Sequence, residues 1–344
     1  MDSRKKVIVA MSGGVDSSTT AYKMIKDGYE VVGATLKMGR ACDELAILDA
    51  KKVCEKLNIP HFVIPVEKNF NDKVINYFYE DYLNGRTPNP CAKCNRELKF
   101  YEMLKFMKEQ NADFIATGHY AKIINNNGIY ELHRAGDRKK DQSYFLSTLP
   151  YSDLQYIKFP LYELEKTSVR EIANEIGLHV AQKEESQDAC FVETDYKDFL
   201  HKNFDIKNKK GYIINLQKQV VGEHNGIINY TIGQRKGLGI SSQKPLYVIE
   251  LDPINNLVIV GDDEDLFRDN LKIENINVLN DLINDKNTEF LFKLRSTHYG
   301  EVGKIKIENG IGYIKLNKPV RAITKGQLCC IYKDGLVVGS GWIM

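Results

Sequence analysis

The segment Val7-Ile8-Val9-Ala10-Met11-Ser12-Gly13-Gly14-Val15-Asp16-Ser17-Ser18 runs an apolar strand into Ser-Gly-Gly and straight into a helix. Two glycines let the backbone approach an anion closely. The free N–H groups and dipole at the helix start, with the hydroxyls of Ser12, Ser17 and Ser18, then form a cradle for a pyrophosphate. Asp16 is out of place beside phosphates unless a divalent cation lies between them. Neither the Walker pattern nor the dinucleotide fingerprint is present.

From Lys6 to about Gly118, β-type runs (Val7 to Met11, Val31 to Leu36, Phe62 to Val66, Phe114 to Thr117) alternate with helical stretches (Ser17 to Lys26, Glu44 to Leu57, Asn71 to Asn84, Arg96 to Gln110). That order predicts an α/β fold, a mostly parallel sheet with helices on both faces, whose ligands bind beyond the carboxyl ends of the strands. A further amphipathic helix is predicted from Leu164 to Ile176. After about Tyr212, short Val/Ile/Tyr-rich runs recur between turn pairs such as Asn309-Gly310 and Asp334-Gly335, which predicts two small, mainly β domains. The expected units are 1–205, 206–268 and 269–344. Lys207 to Lys210 with Gly211 forms the first linker, and the second boundary lies near Arg268 to Asn270.

The length of 344 residues suits two or three domains, and 43% hydrophobic with 27% charged residues is the composition of a folded chain. No apolar run approaches the ~20 residues of a membrane span and no secretory leader is visible. The expectation is a cytoplasmic protein without a membrane partner. Seven cysteines then read as thiols, metal ligands or redox catalysts rather than a disulfide framework. A net charge of +2 means that a nucleic-acid partner must be held by local patches.

Three further clusters carry chemistry. In Gly85-Arg86-Thr87-Pro88-Asn89-Pro90-Cys91-Ala92-Lys93-Cys94-Asn95, two prolines stiffen a loop that presents Cys94 near a helix start. The dipole and Arg86, Lys93 and Arg96 are expected to lower the pKa of that thiol. The Cys91–Cys94 pair supplies only half of a zinc site, and Cys190 is its distant partner. Cys42, Cys54, Cys329 and Cys330 read as small core or surface residues. Ala116-Thr117-Gly118-His119-Tyr120-Ala121 ends a strand, where His119 could touch nucleotide or substrate. Lys140-Asp141-Gln142-Ser143-Tyr144-Phe145-Leu146 is a basic loop entering a helix and an RNA-contact candidate.

Taken in order, the loop at Ser12, Gly-Arg-Thr-Pro-Asn-Pro-x-x-x-Cys-Asn, Ala-Thr-Gly-His-Tyr-Ala, Lys-Asp-Gln-Ser-Tyr-Phe-Leu, Ser-Gln-Asp-x-Cys-Phe, Tyr-Thr-Ile-Gly-Gln-Arg-Lys-Gly-Leu-Gly and the closing Gly-Trp-Ile resemble the tRNA-specific 2-thiouridylase family of the PP-loop ATP pyrophosphatase superfamily. The resemblance implies ATP-dependent 2-thiolation of the wobble uridine, by adenylation of its 2-carbonyl and sulfur transfer from a cysteine persulfide. It implies ATP and Mg2+ as cofactors. Its partners would be tRNA and a persulfide donor, either a cysteine desulfurase or a sulfur-relay protein, or sulfide. Carried over, Ala10, Met11, Ser12, Gly13, Gly14, Val15, Asp16, Ser17, Leu36 and Gly118 would bind ATP, with Asp16 also catalytic. Cys94 would be the nucleophile and Cys190 the persulfide carrier. Asn89, Pro90, Cys91, His119, Lys140, Asp141, Gln142, Arg295, Ser296 and Gln327 would contact RNA.

The chain departs from the family's common pattern at Leu36 (often Met), Cys91 (commonly Asp), Ser296 and the short segment Lys37 to Cys42. An extra thiol at Cys91 opens a second mechanism, in which Cys91, Cys94 and Cys190 hold an iron-sulfur cluster. Another RNA position as target, a small-molecule ligase and a non-catalytic RNA-binding module stay open as alternatives.

Overall fold

A computed structural model describes residues 4–40, 43–183, 189–192, 195–206 and 209–344. Cys42, Glu185 to Asp188 of the motif before Cys190, and Lys207 of the first linker lie outside them.

Strands β1 (Lys6–Ala10) and β2 (Glu30–Lys37), with β3 (His61–Pro65), β4 (Phe114–Ala116) and β7 (Ile157–Lys158), form a parallel sheet in the order β3-β2-β1-β4-β7. Side chains of β1 alternate faces, as a strand requires. Val7 and Val9 join one core with α1 (Val15–Lys26), α2 (Asp43–Lys56) and α8 (Lys166–Glu175), whereas Ile8 joins a second with α6 (Phe100–Glu109). α6 buries Phe100, Met103, Leu104, Phe106 and Met107, the helical stripe that faces a sheet. Strand order reverses between β1 and β4. The loop after β1 and Gly118 after β4 therefore share the crevice in which open α/β sheets hold ligands.

Between β3 and β4 run α3 (Glu67–Phe70), α4 (Asn76–Leu83) and α5 (Pro90–Cys94), with i→i+5 turns at Asn71–Ile75 and Asn95–Lys99. α7 (Ser143–Leu146) and α9 (Tyr196–Asn203) complete the described helices of this part, none of them long and apolar enough to cross a membrane. Strands β8 (Gly211–Asn215), β9 (Val220–His224), β10 (Tyr247–Asp252) and β11 (Leu257–Gly261) form the second unit in the order β10-β11-β8-β9, with β8 and β11 parallel.

The third unit is built from β12 (Phe267–Val278), β13 (Phe290–Lys293), β14 (Glu301–Glu308), β15 (Ile311–Arg321), β16 (Leu328–Lys333) and β17 (Leu336–Ile343). The pairing of β12 with β17 closes it into a barrel. The boundary expected after residue 268 falls inside β12, which begins at Phe267. The run Arg268-Asp269-Asn270 at its start is polar and resembles a linker in sequence.

The hairpin β5 (Ala121–Asn126) and β6 (Ile129–Arg134) leaves the α/β layer and adds to β17 through His133 and Leu336. Leu132 of β6 is fully buried in the core that includes Ile8 and Phe100 as well as Leu328 and Val337 of the barrel. Tyr144 Oη donates to Leu328 O at 2.8 Å, and Asn277 Nδ2 donates to Ser147 O and Leu149 O at 2.8 Å each. α/β layer and barrel thus share one interior. Leu132→Ala should cost about 2–5 kcal/mol. Far-UV circular dichroism and the fluorescence of Trp342 in the barrel should report one displaced denaturation transition; two separate transitions would contradict the shared core.

Candidate functional site

The loop after β1 is packed too tightly for side chains. Gly13 has φ +71°, and a Cβ there would lie 2.4 Å from Ala46 O of α2. Only glycine meets both demands. Gly118 faces the same loop from β4, where a Cβ would come within 2.9 Å of the Asp16 backbone and Ser17 N. Ser17 Oγ donates to Gly14 O at 3.0 Å and receives Ser12 N at 3.2 Å, so the hydroxyls pin the turn. Ala10 ends β1, Met11 is buried beneath the turn, Val15 opens α1, and Leu36 stands at the carboxyl end of β2.

Asp16 does not wait for a metal as its charge partner. Lys166 Nζ donates to both its oxygens at 2.7 Å, and Tyr120 Oη donates to Oδ1 at 2.9 Å. Lys183 Nζ reaches Gly13 O at 3.1 Å and Asp49 Oδ2 at 2.6 Å, a second ammonium on the loop. An isolated lysine 150 residues away carries no motif, so sequence reading missed both.

Asn89 caps α5 by accepting Ala92 N at 3.1 Å, Pro90 occupies its first turn, and the helix ends at Cys94. The expectation of an acidified Cys94 is overturned. Its side chain is buried among Met38, Val74, Ile75 and Leu98, and burial pushes the thiol up to about 11, with Lys99 opposing. Arg86 is committed to Glu274 at 3.0 Å, and Lys93 and Arg96 lie 3.6 and 3.9 Å from Glu97. Lys99 takes their place because the i→i+5 turn carries residue 99 back toward Cys94, and the three thiols Cys94, Cys190 and Cys91 favour its charge against burial.

Cys190 is held beside this helix from both sides. Phe191 docks edge-on against Phe70 and Phe78 at 5.8 and 5.2 Å, and Ala189, at φ +52°, donates its N–H to Cys91 Sγ at 3.3 Å. Arg40 Nη1 donates to Cys190 Sγ at 3.0 Å. Cys94 and Cys190 are both free thiols. The cysteines thus share one neighbourhood, but among the described residues no three His, Cys, Asp or Glu side chains are arranged to hold a metal ion. The described residues as placed do not fit a cluster. Cys54, Cys329 and Cys330 are fully buried core residues.

His119 links the two halves. It follows Gly118, packs on Phe100 and Phe159, and bonds Thr117 Oγ1 through Nδ1 at 2.8 Å. Burial, with help from the Lys99 charge, holds its pKa down at about 3. Asp141 receives Arg134 Nε, Ala135 N and Ser143 N with its side chain almost wholly enclosed, and Gln142 is bonded twice to Tyr120. These two build the loop that presents half-buried Lys140. Arg295, Ser296 and Gln327 line a cavity of about 250 Å³ with Thr87, His298 and Arg321. Gln327 Nε2 donates to Thr87 O and Pro88 O at 3.1 Å each, fastening the barrel to the loop that leads to Cys91 and Cys94.

Two outcomes follow from these shifts. Alkylation of Cys94 by iodoacetamide, followed by mass spectrometry, should climb about tenfold per pH unit through neutrality and level off only near about 11. A plateau below pH 8 would mean the thiol is not desolvated. His119 binds its proton at about 3 in the folded chain against 6.5 ordinarily. The unfolded state therefore takes up a proton that the folded state refuses, and stability falls as pH drops from 6.5 toward 3. Urea midpoints should lose part of that slope in His119→Gln.

Three family models match in succession: "tRNA methyl transferase HUP domain" over residues 5–194, "tRNA methyl transferase PRC-barrel domain" over 197–262 and "Aminomethyltransferase beta-barrel domain" over 268–343. Among curated relatives, the tRNA-specific 2-thiouridylase MnmA of Orientia tsutsugamushi is 44% identical across 98% of this chain and 95% of its own length. The enzyme of that name numbered 2 in Clostridium botulinum is 43% identical across 98% of both chains. The Rickettsia canadensis relative is 42% identical across 99% of this chain and 96% of its own. With the first model covering more than half of the sequence and these relatives nearly all of it, the chain belongs to the tRNA-specific 2-thiouridylase family.

Proposed function

We propose that the protein is an ATP-dependent tRNA-uridine 2-sulfurtransferase, acting on the wobble uridine in the cytoplasm. The observation that carries this reading is contiguity. Gly118 abuts the Ser12–Ser17 loop, His119 beside it feels Lys99, and Lys99 lies within the field of Cys91, Cys94 and Cys190. An anion cradle and a sulfur pocket therefore stand next to each other on one sheet edge.

The chemistry assigns a part to each half. Bound in the cradle of Ala10 to Ser17, ATP offers its α-phosphorus to the uridine O2, and pyrophosphate leaves toward the N–H groups of α1. Asp16 would be the carboxylate to hold a magnesium ion there, sharing an oxygen that now accepts from Lys166, and the ion would neutralise charge on the phosphates. Adenylation turns a poor leaving oxygen into AMP. The terminal sulfur of a Cys190 persulfide, loaded by a donor protein's persulfide, attacks C2, and the C–O bond to AMP breaks. Cys94 then attacks Cys190 Sγ as its proton passes to solvent, the sulfur–sulfur bond opens with its electrons going to the thiouridine, and a disulfide remains for an external thiol to reduce. A raised pKa suits Cys94 in this order, because it stays protonated until the persulfide has been delivered. His119, held neutral, can approach the phosphates or base without adding charge. Lys140 and the cavity at Arg295, Ser296 and Gln327 are the surfaces offered to the RNA, with half-buried Cys91 beside them and buried Asn89 and Pro90 shaping the turn beneath it.

ATP–pyrophosphate exchange should require tRNA, complete turnover should release AMP and pyrophosphate, and Asp16→Ala should lower the exchange by at least about 100-fold. Cys190→Ser and Cys94→Ser should keep the exchange and lose thiolation of the RNA. Release of ADP and phosphate, or exchange indifferent to tRNA, would overturn the assignment.

A further inference from the structure

Arg40 lies in the turn between β2 and α2, a stretch that carries no motif. The turn is fixed by Gly39 at φ +79°, where a Cβ would meet Glu67 Cγ at 3.0 Å. Asp43, only 2% exposed, takes Met38 N at 2.6 Å and Arg40 N at 3.1 Å on Oδ2, and Arg40 Nε and Nη2 at 2.8 and 2.7 Å on Oδ1. One side of the guanidinium is thereby immobilised. A planar fork held on one side presents its remaining N–H at a defined point. That point is Cys190: Nη1 stands 3.0 Å from Sγ. Among the described residues, Lys99 is a second cation near these thiols, a compact charge on a flexible stem.

We propose that Arg40, braced by Asp43, is the positioning residue for the sulfur of Cys190, stabilising it as the thiolate that receives sulfur from a donor persulfide. This rests on the reading of Cys190 as the sulfur carrier. In the step it serves, Cys190 Sγ as thiolate attacks the outer sulfur of the donor's persulfide. The donor's sulfur–sulfur bond breaks, its inner sulfur leaves as thiolate with the bonding pair, and a Cys190 persulfide forms. Outer sulfur and charge are exchanged between two thiolates, with no net oxidation. A guanidinium at hydrogen-bond distance stands where it can hold the charged sulfur as it attacks.

The test uses the full-length protein without ATP, tRNA or donor, so that its result is independent of whether adenylation or thiolation is the reaction. Cys190 is alkylated with iodoacetate, an anion, and separately with neutral iodoacetamide, and the modified peptide is quantified by mass spectrometry. The ratio of the two rates reports the local cation. It should fall about five- to tenfold in Arg40→Gln and recover only part of that loss in Arg40→Lys, whose ammonium cannot bond Asp43 and Cys190 together as the planar fork does; full recovery with lysine would overturn the positioning role. In the unmutated protein the ratio should decline as salt is raised, a measurement that holds even if a variant fails to fold. A ratio unchanged in Arg40→Gln, or insensitive to salt in the native protein, overturns the proposal. A preserved ratio effect with no thiolation of tRNA would leave Arg40's role standing and refute the reading of the reaction instead.

Discussion

Backbone lies on backbone at the centre of this molecule. Gly13 leaves no space for a Cβ against Ala46, and Gly118 leaves none against Asp16 and Ser17. With those two contacts closed, the loop after β1 is clamped between α2 and the exit of β4, and its amides acquire one fixed direction. Residues on either side inherit that geometry. Asp16 is set where Lys166 and Tyr120 reach it, and His119 is set over Phe100 and Phe159. Glycine is costly to order in the unfolded chain, but here any side chain would separate the two strand ends that make the crevice.

Around the cysteines the governing quantity is desolvation. Burial raises the Cys94 thiol and lowers the His119 imidazole, in both cases favouring the neutral form. Among the described residues, Arg40 and Lys99 are cations close to sulfur, where a low dielectric makes each count for more than a surface ion would. Cys190, half-buried and against a braced guanidinium, differs from Cys94 only in these surroundings. Two chemically identical thiols thereby stand in different electrostatic surroundings.

Much of the α/β layer was legible because its signals are local. β1 alternates in a core-facing pattern, Ser-Gly-Gly marks its exit, and α6 carries its stripe within a single decade of residues. The hairpin β5–β6 was passed over although Asn127-Gly128 is the same kind of turn pair that announced the later strands, with φ of +51° and +90°. Its neighbour β17 is remote in sequence, so nothing nearby indicated a sheet. At the site, the cysteines and the glycine loop stood out by type and spacing. The cations did not, because Arg40, Lys99, Lys166 and Lys183 look like any other surface charge until the fold brings them together. Arg86, Lys93 and Arg96, adjacent in sequence to Cys94, turned out to be spent on Asp81, Glu274 and Glu97. An i→i+5 turn, invisible to a 3.6-residue count, chose Lys99 instead.

The hairpin that joins β17 also sets the order in which a growing chain can mature. β6 emerges about 200 residues before the strand it pairs with, and contacts of such separation form slowly. Through that interval Leu132 and the β6 edge have no cover, and Tyr144 has no carbonyl at Leu328 to bond. A ribosome-bound chain can complete its glycine loop early yet cannot close the interior beneath the cysteine pocket until the barrel arrives. The uncovered hairpin is the place where a chaperone would find a partial chain.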